Sequence, residues 1–179
     1  ISLQGRSVLG LADFTAEEFG RILEVAEQKK KIVLSDNKKK DFLKGKSIVT
    51  VFSEASTRTR SSFELAGKYL GADVINITKS GSSMTKGESM RDTLLTVSAM
   101  GVDAVVIRDS SEGAALFASK VMSPKVKVPV VLNAGDGAHA HPSQALLELF
   151  TMKEAGKKIK GMKYVIIGDV LHSRVARSD

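Results

Sequence analysis

The sequence predicts a three-layer α/β domain built on a mostly parallel sheet, followed by the truncated start of a second α/β domain. Short runs of apolar and β-branched residues alternate regularly with longer segments of helical period. Parallel strands need helical crossovers, so this alternation argues for a sheet covered on both faces. With 179 residues the chain is long enough for one buried domain and the first pieces of another.

The first helix is announced by Thr15-Ala16-Glu17-Glu18, a capping box, with Phe14 and Phe19 placed as a hydrophobic staple. Phe19, Ile22, Leu23 and Ala26 give it one apolar face, and Lys29, Lys30 and Lys31 suit its negative end. Residues 47–52 read as a buried strand, and the helix after it turns Phe63, Ala66 and Leu70 inward, with Gly71 in the C-terminal cap position. Strands at 74–77, 104–108 and 130–133 then alternate with helices at 88–100, 112–120 and 142–154. A further strand is expected at 163–168. We therefore expect one domain over residues 1–154, with 155–179 as the connection and first strand of a second domain that the chain does not contain.

Composition excludes several classes of function. No apolar run approaches the length of a membrane span, and a chain without cysteine has neither a disulfide framework nor a thiolate metal site. Cytoplasm is the expected location. The net charge of +7 is spread over scattered lysines, and two tyrosines and no tryptophan offer little for base stacking. An anionic small substrate explains the basic balance better than nucleic acid does.

The segment richest in chemistry follows the first strand: Glu54-Ala55-Ser56-Thr57-Arg58-Thr59-Arg60-Ser61-Ser62-Phe63-Glu64. It places Ser56, Thr57, Arg58 and Thr59 on the opening turn of a helix, where free amides, the helix dipole, hydroxyls and a bidentate guanidinium all favour an anion. A serine cap beside a solvent-facing arginine is the plainer alternative, but the pattern is longer than a cap requires. The stretch S-T-R-T-R-x-S-F-E resembles the carbamoyl-phosphate signature shared by the aspartate and ornithine carbamoyltransferases.

That resemblance organises the remaining motifs. His141-Pro142-Ser143-Gln144, between a strand and a helix, is similar to the family's second signature. It implies a neutral His141 donating to a polarised carbonyl and Gln144 holding the carbamoyl amide. His139 and His141, one residue apart without a third ligand, make a weak metal site, and His139 reads as structural or loop-exposed. Neither a metal nor a cofactor is expected. Arg108, closing the apolar run Val105-Val106-Ile107, falls on the ligand edge of the sheet, although pairing with Asp109 or Glu112 would explain it too. The family's arginine there contacts the carbamoyl oxygen and the phosphate. The polar loop from Ser80 to Glu88 matches one that reaches a neighbouring subunit's site, through the serine at Ser82 and the lysine at Lys86, with Ser80 and Ser83 as alternatives. Arg174 matches an arginine that binds a carboxylate of aspartate, and Glu54 a glutamate that braces the closed form.

The acceptor is read as L-aspartate because N-A-G-D-G precedes H-P-x-Q, the loop carries K-G-E, and H-S-R-V-A-R-S resembles bacterial aspartate enzymes. The implied reaction joins the α-amine of aspartate to the carbamoyl group of carbamoyl phosphate, with Thr59, Arg108 and His141 as donors to the carbonyl oxygen. The family implies a homotrimer with shared sites, and for some members a regulatory chain or other pyrimidine enzymes as partners. The 179-residue chain alone is expected to be inactive. Ornithine transfer, or a non-catalytic trimer-forming phosphate-binding module, are the alternatives.

Overall fold

The computed structural model describes residues 2–81, 87–122 and 128–171. Its elements run α1 (Ala16–Val33), β1 (Ser47–Phe52), α2 (Thr57–Tyr69), β2 (Asp73–Thr78), α3 (Met90–Ala99), β3 (Ala104–Asp109), α4 (Ala114–Val121), β4 (Val130–Asp136) and α5 (Pro142–Glu154). The α1 capping box forms as expected: the Glu18 amide donates to the Thr15 hydroxyl and the Thr15 amide to the Glu18 carboxylate. Phe14 and Phe19 meet in a tilted pair with ring centroids 6.0 Å apart, and Leu23 is the buried apolar residue of that helix.

Three boundaries differ from the sequence reading by two residues or more. Ser89, paired with Asp92 in a second capping box, starts α3 two residues late, and Gly113, left-handed at φ 79°, delays α4 to Ala114. β4 runs on to Asp136. The inner face of α2 is also different. Ala66 is exposed, Phe63 and Leu70 are half-buried, and the fully buried position is Gly67. A Cβ there would lie 2.6 Å from Val74 Cγ2 and 3.2 Å from Ile48 Cδ1, so the helix backbone itself seats against the sheet.

The four strands are all parallel in the order β2-β1-β3-β4. Val8 adds a parallel bridge to Leu132 at the β4 side. Alternation along the strands sorts the core into two clusters. Val49, Val51, Val105, Ile107 and Val131 meet Leu94, Val97, Ala115 and Ala118 of α3 and α4. Phe52, Val106 and Ala134 meet Phe63 of α2 on the opposite face. Two core faces on one sheet make three layers, as the sequence predicts.

The expected strand at 163–168 is not formed. Those residues are irregular and exposed, with Val165 at 80% and Ile167 at 91%. A β-branched run becomes a strand only when a neighbouring edge takes its amides and carbonyls, and no described strand lies beside this one. No described helix is long and apolar enough to cross a membrane.

From β1 the chain steps outward to β2, then returns past β1 to β3. The crevice between the carboxyl ends of β1 and β3 is thus the topological switch point, where ligands of open α/β sheets bind.

The end of α2 supplies the first test. Gly71 is at φ +88°, its amide bonds Lys68 O, and the Ala72 amide bonds Gly67 O, a complete Schellman cap. A Cβ at Gly71 would lie 2.5 Å from the Lys40 carbonyl oxygen. Gly71→Ala is expected to lower unfolding free energy by at least about 1–2 kcal/mol, the penalty for a side chain in left-handed backbone. Urea titration would show a lower midpoint, and an unchanged midpoint would refute this role.

Candidate active site at the carboxyl edge of the sheet

Four segments converge on the switch point. The first is the turn between β1 and α2. Ser56 occupies the N-cap of α2 in extended conformation, φ −154° and ψ 96°, yet its side chain makes no capping hydrogen bond. The opening turn of α2 therefore keeps its amides and its dipole directed at the crevice without help from that hydroxyl. Thr57 and Arg58 are exposed and Thr59 half-buried. A cleft of about 400 Å³ lies against this turn, lined by Phe52, Ser53, Glu54, Ala55, Ser56, Thr57, Arg60, Thr78 and Lys79.

The second segment is the end of β3. Arg108 pairs with Phe52 across the sheet and is 8% exposed. Its Nη1 donates to the Ala134 carbonyl at 2.8 Å and lies 3.0 Å from His141 Nε2. Its Nε faces the Glu54 carboxylate at 3.8 Å. The alternative partners weighed from sequence, Asp109 and Glu112, are otherwise placed. Asp109 accepts a short hydrogen bond from Ser53 and one of 2.7 Å from the Ser111 amide. Glu112 lies against Gly137.

Burial alone would raise the Asp109 carboxyl. The Ser53 hydroxyl, the amide and hydroxyl of Ser111 and the charge of Lys79 outweigh it and hold the group below the usual carboxylate range.

The third segment is the N-A-G-D-G turn that ends β4. Asn133 donates to Leu9 O and to Asp136, and accepts from the Gly135 amide. Asp136, 2% exposed, also accepts from the Gly113 and Ala140 amides and pairs with His139 Nδ1 at 3.0 Å. This explains the glycine at 135: φ is +120°, and a Cβ would stand 2.8 Å from Arg108 Nη1. His139 is exposed and pairs with Asp136. No metal-binding cluster occurs among the described residues.

The fourth segment is the start of α5. His141 is the N-cap, Pro142 the first helical residue. His141 Nδ1 lies 3.2 Å from Ser143 Oγ. The Gln144 side-chain amide donates to Glu148 at 2.9 Å, one turn further along the helix.

The geometry thus joins Glu54, Arg108 and His141 through direct contacts and puts Ser56, Thr57, Arg58 and Thr59 at the start of α2, where Glu54, Ser56 and Thr57 line the cleft, with Gln144 at the start of α5. Ser82, Lys86 and Arg174 lie outside the described residues. Sequence reasoning missed Ser53, Lys79, Arg60 and Ser143. Lys79 carries the signal that revealed Arg108, a charge just past an apolar strand, because β2 ends at the same edge. Arg60 sits inside the recognised motif and lines the cleft, with its Nε buried and without a hydrogen-bond partner among the described residues.

A parallel sheet with a helix N-terminus, hydroxyls and a buried arginine at its switch point defines an α/β domain built to hold a small anion. Residues 6–154 match the family of aspartate/ornithine carbamoyltransferase carbamoyl-phosphate-binding domains, and the chain belongs to that family. It is 51% identical over its whole length to an aspartate carbamoyltransferase catalytic subunit of Pelotomaculum thermopropionicum, covering 56% of that protein. With the corresponding subunit of Desulforudis audaxviator it shares 53% identity over 97% of this chain and 55% of the relative.

Among solved structures, the catalytic subunit of M. jannaschii aspartate transcarbamoylase is 39% identical, with a TM-score of 0.81 over 96% of this chain and 54% of the other. A Trypanosoma cruzi aspartate transcarbamoylase in complex with carbamoyl phosphate and aspartate is 30% identical, with a TM-score of 0.84 over 98% of this chain and 55% of the other. The chain spans about half the length of the curated relatives it matches.

The carboxylate at the base of the site yields a pH test. Because the Asp109 pKa is lowered on folding, its contribution to stability is complete above the unfolded value, near pH 4, and is lost as pH falls through the lower folded value. Ser53→Ala removes the principal stabilising donor. Denaturant titrations should show wild type more stable at neutral pH and the gap narrowing below about pH 4. A gap independent of pH would contradict this assignment.

Proposed function

We propose that this chain is the carbamoyl-phosphate half of an aspartate carbamoyltransferase. In the complete enzyme it would transfer the carbamoyl group to the α-amine of L-aspartate, releasing phosphate. The observation that carries this reading is the α2 N-terminus, without a side-chain cap from Ser56, facing the crevice that Arg108 closes from β3. The naming of the relatives as aspartate enzymes supports the choice of acceptor.

Phosphate oxygens suit the amides of the first turn of α2, with the Ser56, Thr57 and Thr59 hydroxyls and the Arg58 guanidinium beside them. The carbamoyl group would then point toward β3 and α5, where Arg108 and His141 lie 3.0 Å apart. As the amine attacks the carbamoyl carbon, negative charge grows on the carbonyl oxygen. Thr59, Arg108 and His141 would donate to that oxygen. When the bond to phosphate breaks, the electron pair leaves with phosphate, which takes the proton shed by the amine. Gln144 would exchange its bond to Glu148 for the carbamoyl amide.

Arg108 is charged and nearly buried before any substrate arrives. Its attachment to Ala134 O and Glu54 fixes it where the carbonyl charge would develop, so little reorganisation is required at the reacting step. The assignments of Ser82 and Lys86 to a neighbouring subunit's site in a homotrimer, of Arg174 to an aspartate carboxylate, and of residues 155–179 to the approach to a second domain rest on the family resemblance.

Arg58→Ala should weaken binding of inorganic phosphate or a phosphonate analogue to this chain by roughly tenfold or more, the worth of a charge-assisted hydrogen bond. Unchanged calorimetric affinity would defeat the anion-site reading. In the complete enzyme, His141→Ala should lower turnover about 10²- to 10³-fold while carbamoyl-phosphate binding changes far less. Steady-state kinetics with unchanged turnover would remove His141 from the mechanism.

A further inference from the structure

The two ring nitrogens of His141 have different partners. Nε2 lies 3.0 Å from Arg108 Nη1, and Nδ1 lies 3.2 Å from Ser143 Oγ. A guanidinium only donates, so Nε2 is the acceptor in the first contact and carries no proton. A neutral imidazole then holds its single proton on Nδ1, and the Ser143 hydroxyl is the acceptor in the second.

This arrangement has a consequence for the reaction proposed above, on which the inference partly rests. Nε2 is the nitrogen beside Arg108, and it can donate to a carbonyl oxygen only after gaining a proton. Nδ1 must then become the acceptor. A hydroxyl serves both states, because it accepts from Nδ1–H and, after rotating, donates to a bare Nδ1. We infer that Ser143 is a positioning residue that holds the His141 ring in both tautomers and so lets it pass from partner of Arg108 to donor toward substrate. In the exchange Nδ1 releases one proton to water and Nε2 takes one from water, leaving protein charge unchanged.

The location of Ser143 fits the role. It is the second residue of α5, directly after Pro142, whose ring fixes the entry of the helix. Ser143 is therefore placed by regular helix geometry, and only its hydroxyl needs to rotate. Among the described residues, charged groups near the ring include Arg108 from β3 and, beyond it, Glu54 from the turn after β1. Arg108 is also tied to Ala134 O, so His141 lies between a fixed donor and an adaptable hydroxyl.

Imidazole ¹⁵N spectra of the 179-residue chain test this directly. The chain has three histidines, and His139→Gln and His172→Gln variants assign the signals. The unliganded chain should show His141 with a bare Nε2 and a protonated Nδ1. Ser143→Ala should leave Nε2 bare, because Arg108 still donates to it, but should shift the Nδ1 signal as the hydroxyl partner is lost. Ser143→Thr should restore that signal, with unchanged backbone amide spectra serving as the folding control.

In the complete enzyme, Ser143→Ala should lower kcat on the order of tenfold, the low end of the loss when the partner that orients a metal-ligating histidine is removed. KM for carbamoyl phosphate should change much less, and Ser143→Thr should recover kcat. A protonated Nε2 in the unliganded chain, or an Nδ1 signal unaltered in Ser143→Ala, would overturn the inference. Expected spectra from a complete enzyme that transfers no carbamoyl group would uphold the positioning role and refute the functional reading instead.

Discussion

A guanidinium taken almost wholly out of water at the end of a strand must be answered by polar partners, since the desolvation of one unpaired ion costs several kcal/mol. Arg108 has its answers from three places: the Ala134 carbonyl at the end of β4, His141 at the start of α5 and Glu54 after β1. None is near it in sequence. They meet because β1, β3 and β4 run parallel with Phe52 beside Arg108 and Ile107 beside Asn133. The arginine thus ties the carboxyl ends of three strands into one site.

That site depends on a second group of buried polar residues which never touches the crevice. Asn133 and Asp136 collect the Gly135, Gly113 and Ala140 amides and hold Leu9 O. The result fixes the path of the N-A-G-D-G turn, so that Gly135 passes close over Arg108. Fully satisfied buried networks of this kind rigidify the structure and specify one geometry. The chemistry proposed here needs such fixity, because Arg108 must be in place before charge develops on the carbonyl oxygen.

Much of this was legible in the sequence because local rules and the global fold agree. The capping box at Thr15, the β-branched run of β1 and the S-T-R-T-R turn each point to the element that forms. Where the reading failed, the cause was tertiary. Gly67 replaced Ala66 as the contact of α2 because close approach to Val74 and Ile48 favours the missing side chain over an apolar one. The apolar run at 163–168 stayed irregular because strand propensity has no effect without an edge to pair with. Ser143 could not be identified from a pattern, since its role comes from the orientation of one imidazole ring against an arginine 33 residues back in the chain.

The most direct measurement is a crystal structure of this chain with a phosphonate bearing a terminal amide, the shape of carbamoyl phosphate without its labile bond. The phosphonate should lie on the amides of the first turn of α2, with the Arg58 guanidinium beside it and the amide oxygen within hydrogen-bond distance of Arg108 and His141. A phosphonate bound elsewhere, or bound at α2 with its amide directed away from Arg108, would contradict the site described here.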